Sequence, residues 1–140
     1  MEYPSWSNED YYTDWDSSKT FYCNTSTATG ADVSGTETDF PVLVRLSNSI
    51  FWPSGAQSDG TDIRFSKADG THLYYERERW DNTNKEAEFW VRVDTVFGNS
   101  DGGHAGDSTE LKIWWGNASA ADSSKPASVF DSANGFAGVW

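Results

Sequence analysis

Apolar and polar residues alternate in short runs along this chain, and Gly, Asn, Asp and Ser separate the runs. In "KTFYCNT" (19–25), Phe21 and Cys23 share one face and Tyr22 takes the other. "DFPVLVRL" (39–46) puts Phe40, Val42, Val44 and Leu46 on one side, and Pro41, Leu43 and Arg45 on the opposite side. In "TDIRFS" (61–66), Ile63 and Phe65 point one way while Asp62 and Arg64 point the other. The pattern returns in "LYYERERW" (73–80), in "AEFWVRVDTV" (87–96) with Ala87, Phe89, Val91 and Val93 in line, and in "TELKIWWGN" (109–117) with Leu111, Ile113 and Trp115. A period of two is the signature of a half-buried strand. No window sustains the 3.6-residue period of a helix, because Gly or Pro interrupts most stretches of helical length.

The separators read as turns. Asp69-Gly70 is a strong hairpin signal, since the tight turn needs positive φ and Gly tolerates it. Pro41 has no N–H and so belongs at a strand start or on an edge. "DNTNKE" (81–86) turns the chain again, and "FGNSDGGHAGDS" (97–108) is a Gly-rich loop. "ASAADSSKPASVFDS" (118–132) reads as a linker-like loop with a turn of helix. About six short strands between such clusters predict an all-β, antiparallel, jelly-roll-like β-sandwich with little or no helix. We expect a single module over 19–140 and an aromatic N-terminal arm over 1–18 that packs on it.

Strand parity sorts the tryptophans. Trp115 goes inward with Leu111 and Ile113, which sends Trp114 outward with Lys112. Trp90 goes outward with Glu88 and Arg92. The two outward tryptophans sit on consecutive strands, so a pairing of those strands would put both on one surface. In "LYYERERW" parity groups Leu73, Tyr75, Arg77 and Arg79 against Tyr74, Glu76, Glu78 and Trp80, and Trp80 closes the strand over either side. Outward Trp is open to two readings. It forms a platform on which the apolar face of a sugar ring stacks, with Asp, Asn and Arg bonding the hydroxyls. Alternatively the outer face is itself covered, by the N-terminal Trp6, Tyr11, Tyr12 and Trp15 or by a neighbouring domain.

Composition narrows the function. The 140 residues include eight Trp, eight Phe and six Tyr. Mean hydropathy is nevertheless −0.68, because Asp, Ser, Thr, Asn and Gly fill the remaining positions. A net charge of −12 disfavours nucleic acid and anionic membranes, which attract Lys and Arg. Cys23 is the single cysteine, so no internal disulfide forms, and it reads as a small buried residue rather than a nucleophile. No apolar run is long enough to insert in a membrane, and no charged n-region followed by an apolar h-region occurs within these residues. The abrupt start and the "GFAGVW" end read as a piece cut from a longer, secreted protein.

Catalytic spacing is absent: there is no Gly-x-Ser-x-Gly elbow, and His72 and His104 belong to no metal-binding spacing. Glu76, Glu78 and Glu88 would be the natural positions for a glycosidase pair, but Arg64, Arg77 and Arg79 lie close enough to bridge them. "SDGTD" (58–62) and "KADGT" (67–71) resemble halves of Ca²⁺ loops. Neither has the full ligand spacing, so Ca²⁺ stays a secondary expectation beside plain turns.

An ordered string of motifs resembles the bacterial family DUF2341. The string is "DFPVLVRL", "DGTDIRFSKADGTHLYYERERWD", "EFWVRV", "IWWGN", "VFD" and "GFAGVW", over about residues 39–140. Trp114-Trp115 replace the family's usual Tyr-Tyr, and Asp94 stands where Pro is common. The resemblance implies an extracytoplasmic β domain, often beside concanavalin A-like or other sugar-binding modules, and it transfers no catalytic residue. Trp80 and Trp90 fall inside the family pattern, which favours structural work for them. Trp52, Trp6 and Trp15 lie outside it and become candidates for individual contacts.

The resulting expectation is a non-catalytic module, exported or on the cell surface, that binds polysaccharide or oligosaccharide. Its contact residues are expected to be Trp114, Trp52 and Trp90, then Tyr74 and Trp80, with Arg92 and Asp94 as polar partners. The alternative is a structural or adhesion module that packs on adjacent domains of a larger chain and takes no glycan.

Overall fold

Wherever the alternation runs uninterrupted, the chain is extended. The structure is a computed structural model and describes residues 12–100 and 108–130. Among these residues six strands form: β1 Ser17–Asn24, β2 Glu37–Ser47, β3 Arg64–Lys67, β4 Tyr75–Asp81, β5 Glu86–Val96 and β6 Ser108–Trp115. They build two three-stranded antiparallel sheets, ordered β1-β6-β3 and β2-β5-β4. The expected all-β sandwich is therefore what the chain forms. One short helix, α1, spans Pro126–Val129, with Pro126 in the first turn where its missing N–H costs nothing.

Most of the core comes from the faces that parity grouped, but Phe40 departs from its β2 set, standing 48% exposed while Pro41 is buried. Phe65 of β3, Leu111, Ile113 and Trp115 of β6, and Phe89, Val91 and Val93 of β5 are all buried, with Tyr75 of β4. Phe65 joins the sheets, its ring lying 5.2 Å from Phe89 and 5.6 Å from Tyr75. Burying each such side chain contributes roughly 1.5–3 kcal/mol. The register of β2 on β5 sets Val42 opposite Val91 and Val44 opposite Phe89, and Pro41 lies on an edge strand.

Two features depart from a simple strand-by-strand reading. β5 and β6 follow one another but lie in different sheets, so Trp90 and Trp114 face away from each other on opposite outer surfaces. The shared aromatic surface that their pairing would have made does not form. Within β4, a bulge between Arg77 and Arg79 inserts a residue and inverts the alternation beyond it. Trp80 therefore turns in toward the core, and Arg79 turns outward to Glu88.

The Asp69-Gly70 turn forms as expected, with Gly70 at φ 89° and Lys67 N–H donating to Thr71 O. Its return arm pairs only briefly with β3 before the chain crosses to start β4 in the other sheet. Residues 117–125 then close the side where β3 and β4 meet. Arg64 donates to Ala121 O, Arg77 pairs with Asp122, and Lys125 N–H donates to Tyr75 O. No helix among the described residues is long and apolar enough to cross a membrane.

Candidate functional site

Packing accounts for most of the outward aromatics. Tyr12 lies flat on Trp114, with ring centroids 4.8 Å apart and planes 13° from parallel, and Trp114 Nε1 donates to Ser66 Oγ. Trp15 stands edge-on to Tyr12, donates to Asp62 O, and holds the Arg64 guanidinium over its ring at 5.2 Å. Residues 12–16 thus cover Trp114 and the neighbouring outer face of β6 and β3, the second of the two readings offered for Trp114. Trp6, Tyr11 and His104 lie outside the described residues.

Trp52 and Trp80 pack together at 4.6 Å and both rest on the core. Trp80 also presses on Gly60, where a Cβ would come within 2.4 Å of the indole. Trp90 stays on the outer face of its sheet, donates to Glu78 and meets Phe130 edge-on at 5.5 Å.

The acidic turns are used internally. Asp59 accepts from the backbone and hydroxyl of Thr61, and Asp69 does the same for Thr71, so the two Asp-Gly-Thr stretches fold alike. These bonds hold both carboxyls below the usual carboxylate range. Asp62 is fully buried and accepts backbone N–H groups from Gln57, Gly116 and Asn117, tying β3 to the end of β6. Among the described residues no three His, Cys, Asp or Glu side chains cluster to hold a metal ion.

The glutamates proposed for acid–base work have other neighbours. Glu88 receives a two-pronged bond from Arg79, which lowers its carboxyl. Glu76 is raised, first by burial and then by Glu78. Burial also pushes the Cys23 thiol up to about 11.

Three of the expected contact residues, Tyr74, Arg92 and Asp94, do come together. They line an open groove of about 280 Å³ with Asp39, Lys67 and His72. Tyr74 lies just before β4, and its carbonyl accepts Arg92 N–H, so the backbone is held in the sheet while the ring stays 45% exposed. Arg92 is oriented from two sides, donating to Ser128 O and pairing with Asp39 at 3.3 Å. Asp39 is left out of the pairing of β2 with β5, whose register is the same on either side of it, and has φ 51°, a left-handed conformation that a non-glycine residue adopts only at a cost. Lys67, at the end of β3, reaches across to Asp94 on β5 at 2.8 Å and joins the two sheets at this point.

His72 lies at the groove wall. Its Nδ1 is 2.7 Å from Tyr12 Oη, which is also 3.2 Å from Phe65 O. With the hydroxyl proton directed to the carbonyl, His72 donates from Nδ1. Burial, then Arg64 and Lys125, lower its pKa to about 4, so it is neutral at pH 7.

Asp39, Lys67 and His72 were not among the expected contacts. A sequence signal existed for two of them: Lys67 and His72 flank the Asp69-Gly70 turn, and a tight hairpin makes such residues neighbours. Nothing local marks Asp39, whose role depends on the register of β2 against β5.

Residues 59–140 match the family described as "Domain of unknown function (DUF2341)". The match takes in β3 to β6 and begins after the "DFPVLVRL" strand. No curated protein and no solved structure matches the chain.

Proposed function

The chain belongs to the DUF2341 family, and from that premise we propose that it is a non-catalytic carbohydrate-binding module of an exported bacterial protein, with its ligand in the Tyr74 groove. The observation that carries this reading is the composition of the groove. An exposed aromatic ring stands beside two guanidinium or ammonium groups, each matched to a carboxylate. A sugar ring needs that combination, an apolar plate for its C–H face and oriented donors and acceptors for its hydroxyls. The ligand contacts therefore centre on Tyr74, Arg92 and Asp94. Trp114, Trp52, Trp80 and Trp90 support the domain through the packing described above.

Affinity electrophoresis tests it, through gels containing cellulose derivatives, xylan, glucomannan, xyloglucan or pectin. Retardation by a glycan, lost in a folded Tyr74→Ala variant and kept in Trp90→Phe, is the expected result. Loss of a stacked ring should cost on the order of 1–3 kcal/mol, taking base stacking as the guide, enough to erase micromolar-to-millimolar binding. Migration unaffected by every gel would overturn the proposal.

The second reading, packing against an adjacent domain, is favoured by a different region. Ile50 is 83% exposed, Phe40 48% and Tyr22 60%, and β1 and β2 are edge strands. Exposed apolar groups along open edges are a common seat for a protein neighbour.

A further inference from the structure

The groove continues past the Lys67–Asp94 pair. A second hollow of about 310 Å³ lies beyond it, and both hollows count Lys67 and Asp94 among their walls. The far hollow adds Asp69, Thr95, Phe97 and Glu110. Small-molecule sites run from roughly 300 to 1,000 Å³. Each hollow alone is at the lower limit of that range. A ligand that gains full contact is therefore longer than one ring and crosses the bridge.

Charge restricts the ligand further. In the near half, Arg92 is balanced by Asp39 and Lys67 by Asp94, His72 carries no charge at pH 7, and the Lys125 ammonium lies 5.8 Å from the centre of the Tyr74 ring. In the far half Lys67 lies near both Asp69 and Asp94, and Glu110 also lines the hollow, so carboxylates outnumber cations there on a chain of net charge −12. Like charges brought together there cost binding energy, while neutral hydroxyls find acceptors.

We infer that the groove is a two-part cleft for a chain of uncharged sugars, with one subsite on Tyr74 and another along Glu110, and with the Lys67–Asp94 pair between them. This rests on the carbohydrate reading above and specifies its ligand. Tyr74 supplies stacking to the first ring. Thr95, Asp69 and Glu110 line the hollow that a later ring would enter.

Calorimetric titration of the chain separates the two claims. The probes are cello-, xylo- and manno-oligosaccharides of two to six units, with oligogalacturonides of the same lengths as the acidic counterpart. For one neutral series, affinity should rise about tenfold, equivalent to 1.4 kcal/mol, between the shortest and the four-unit member and then level off. Glu110→Ala, at an exposed position, should remove that rise and leave the shortest sugar's affinity unchanged, while Tyr74→Ala weakens every length. Neutral sugars binding with no gain in length, or oligogalacturonides binding tighter, would overturn the two-part cleft and leave the carbohydrate reading standing. Binding by none of the sugars would overturn both.

Discussion

His72 shows how much one residue's chemistry depends on its surroundings. It is surrounded by Tyr12, Tyr74 and Tyr75 rings, lies close enough to Arg64 and Lys125 to feel their charge, and is held neutral with a pKa of about 4 against an ordinary 6.5. The unfolded chain therefore takes up a proton below 6.5 that the folded chain refuses until about 4. Stability contributed by the neutral ring is present in full above the unfolded value and is lost as pH falls through this window. The expected loss is on the order of 2–3 kcal/mol. Urea unfolding at neutral pH and near pH 4 measures it. Wild type should lose that much more than His72→Gln, whose side chain does not titrate; parallel losses would show that burial of the ring is not the cause. The exposed, hydrogen-bonded Asp59, Asp69 and Asp81 add acid sensitivity of the same sign to both proteins.

At the scale of elements, segments without regular structure do as much positioning as the strands. Residues 12–16 bind the outer face of β6 and β3 through a stacked ring, two indole or phenol hydrogen bonds and a cation over Trp15. Tyr12→Ala removes a buried ring and should cost about 3 kcal/mol or more, whereas Tyr12→Phe, which keeps the stack and loses the hydroxyl's bonds to Phe65 O and His72, should cost about 1–2 kcal/mol. Thermal or urea unfolding gives both values, and a red shift of tryptophan emission in Tyr12→Ala would report water at Trp114. A change within about 0.5 kcal/mol for Tyr12→Ala would mean that the arm does not hold the sheet. The β4 bulge has a comparable reach: by inverting the strand it sends Trp80 against Trp52 and Gly60, and frees Arg79 for Glu86 and Glu88.

At the scale of the whole molecule, Phe65 is the point where the two halves meet. It touches Phe21 in its own sheet and both Phe89 and Tyr75 in the other. Phe65→Ala should cost about 4 kcal/mol through lost burial and the cavity left behind, a large share of the 5–15 kcal/mol typical of a domain. A urea midpoint shift of that size, with a single transition by far-UV and tryptophan signals alike, is the expected outcome. Two separate transitions would show sheets that unfold independently. The same meeting of sheets shapes the groove, since Lys67 and Asp94 come from opposite layers and both line it.

By itself the sequence determined the class of structure, the positions of the strands and the inward face of nearly every one. That information is local: alternation with period two marks the side to be buried, and Asp-Gly and Pro41 mark turns and an edge. The tertiary structure alone decided which strands became neighbours, and with that the fate of the aromatics. Trp90 and Trp114 separated because sheet membership depends on long-range pairing energy, for which neither strand carries a local signal. Trp80 turned inward because one extra residue in a bulge reverses parity without altering composition. Trp114 lost its outer face to Tyr12, a contact between segments about a hundred residues apart in the chain. Tyr74, Arg92 and Asp94 were legible as candidates one by one. Only the folded layers brought them together with Asp39, Lys67 and His72 around one hollow.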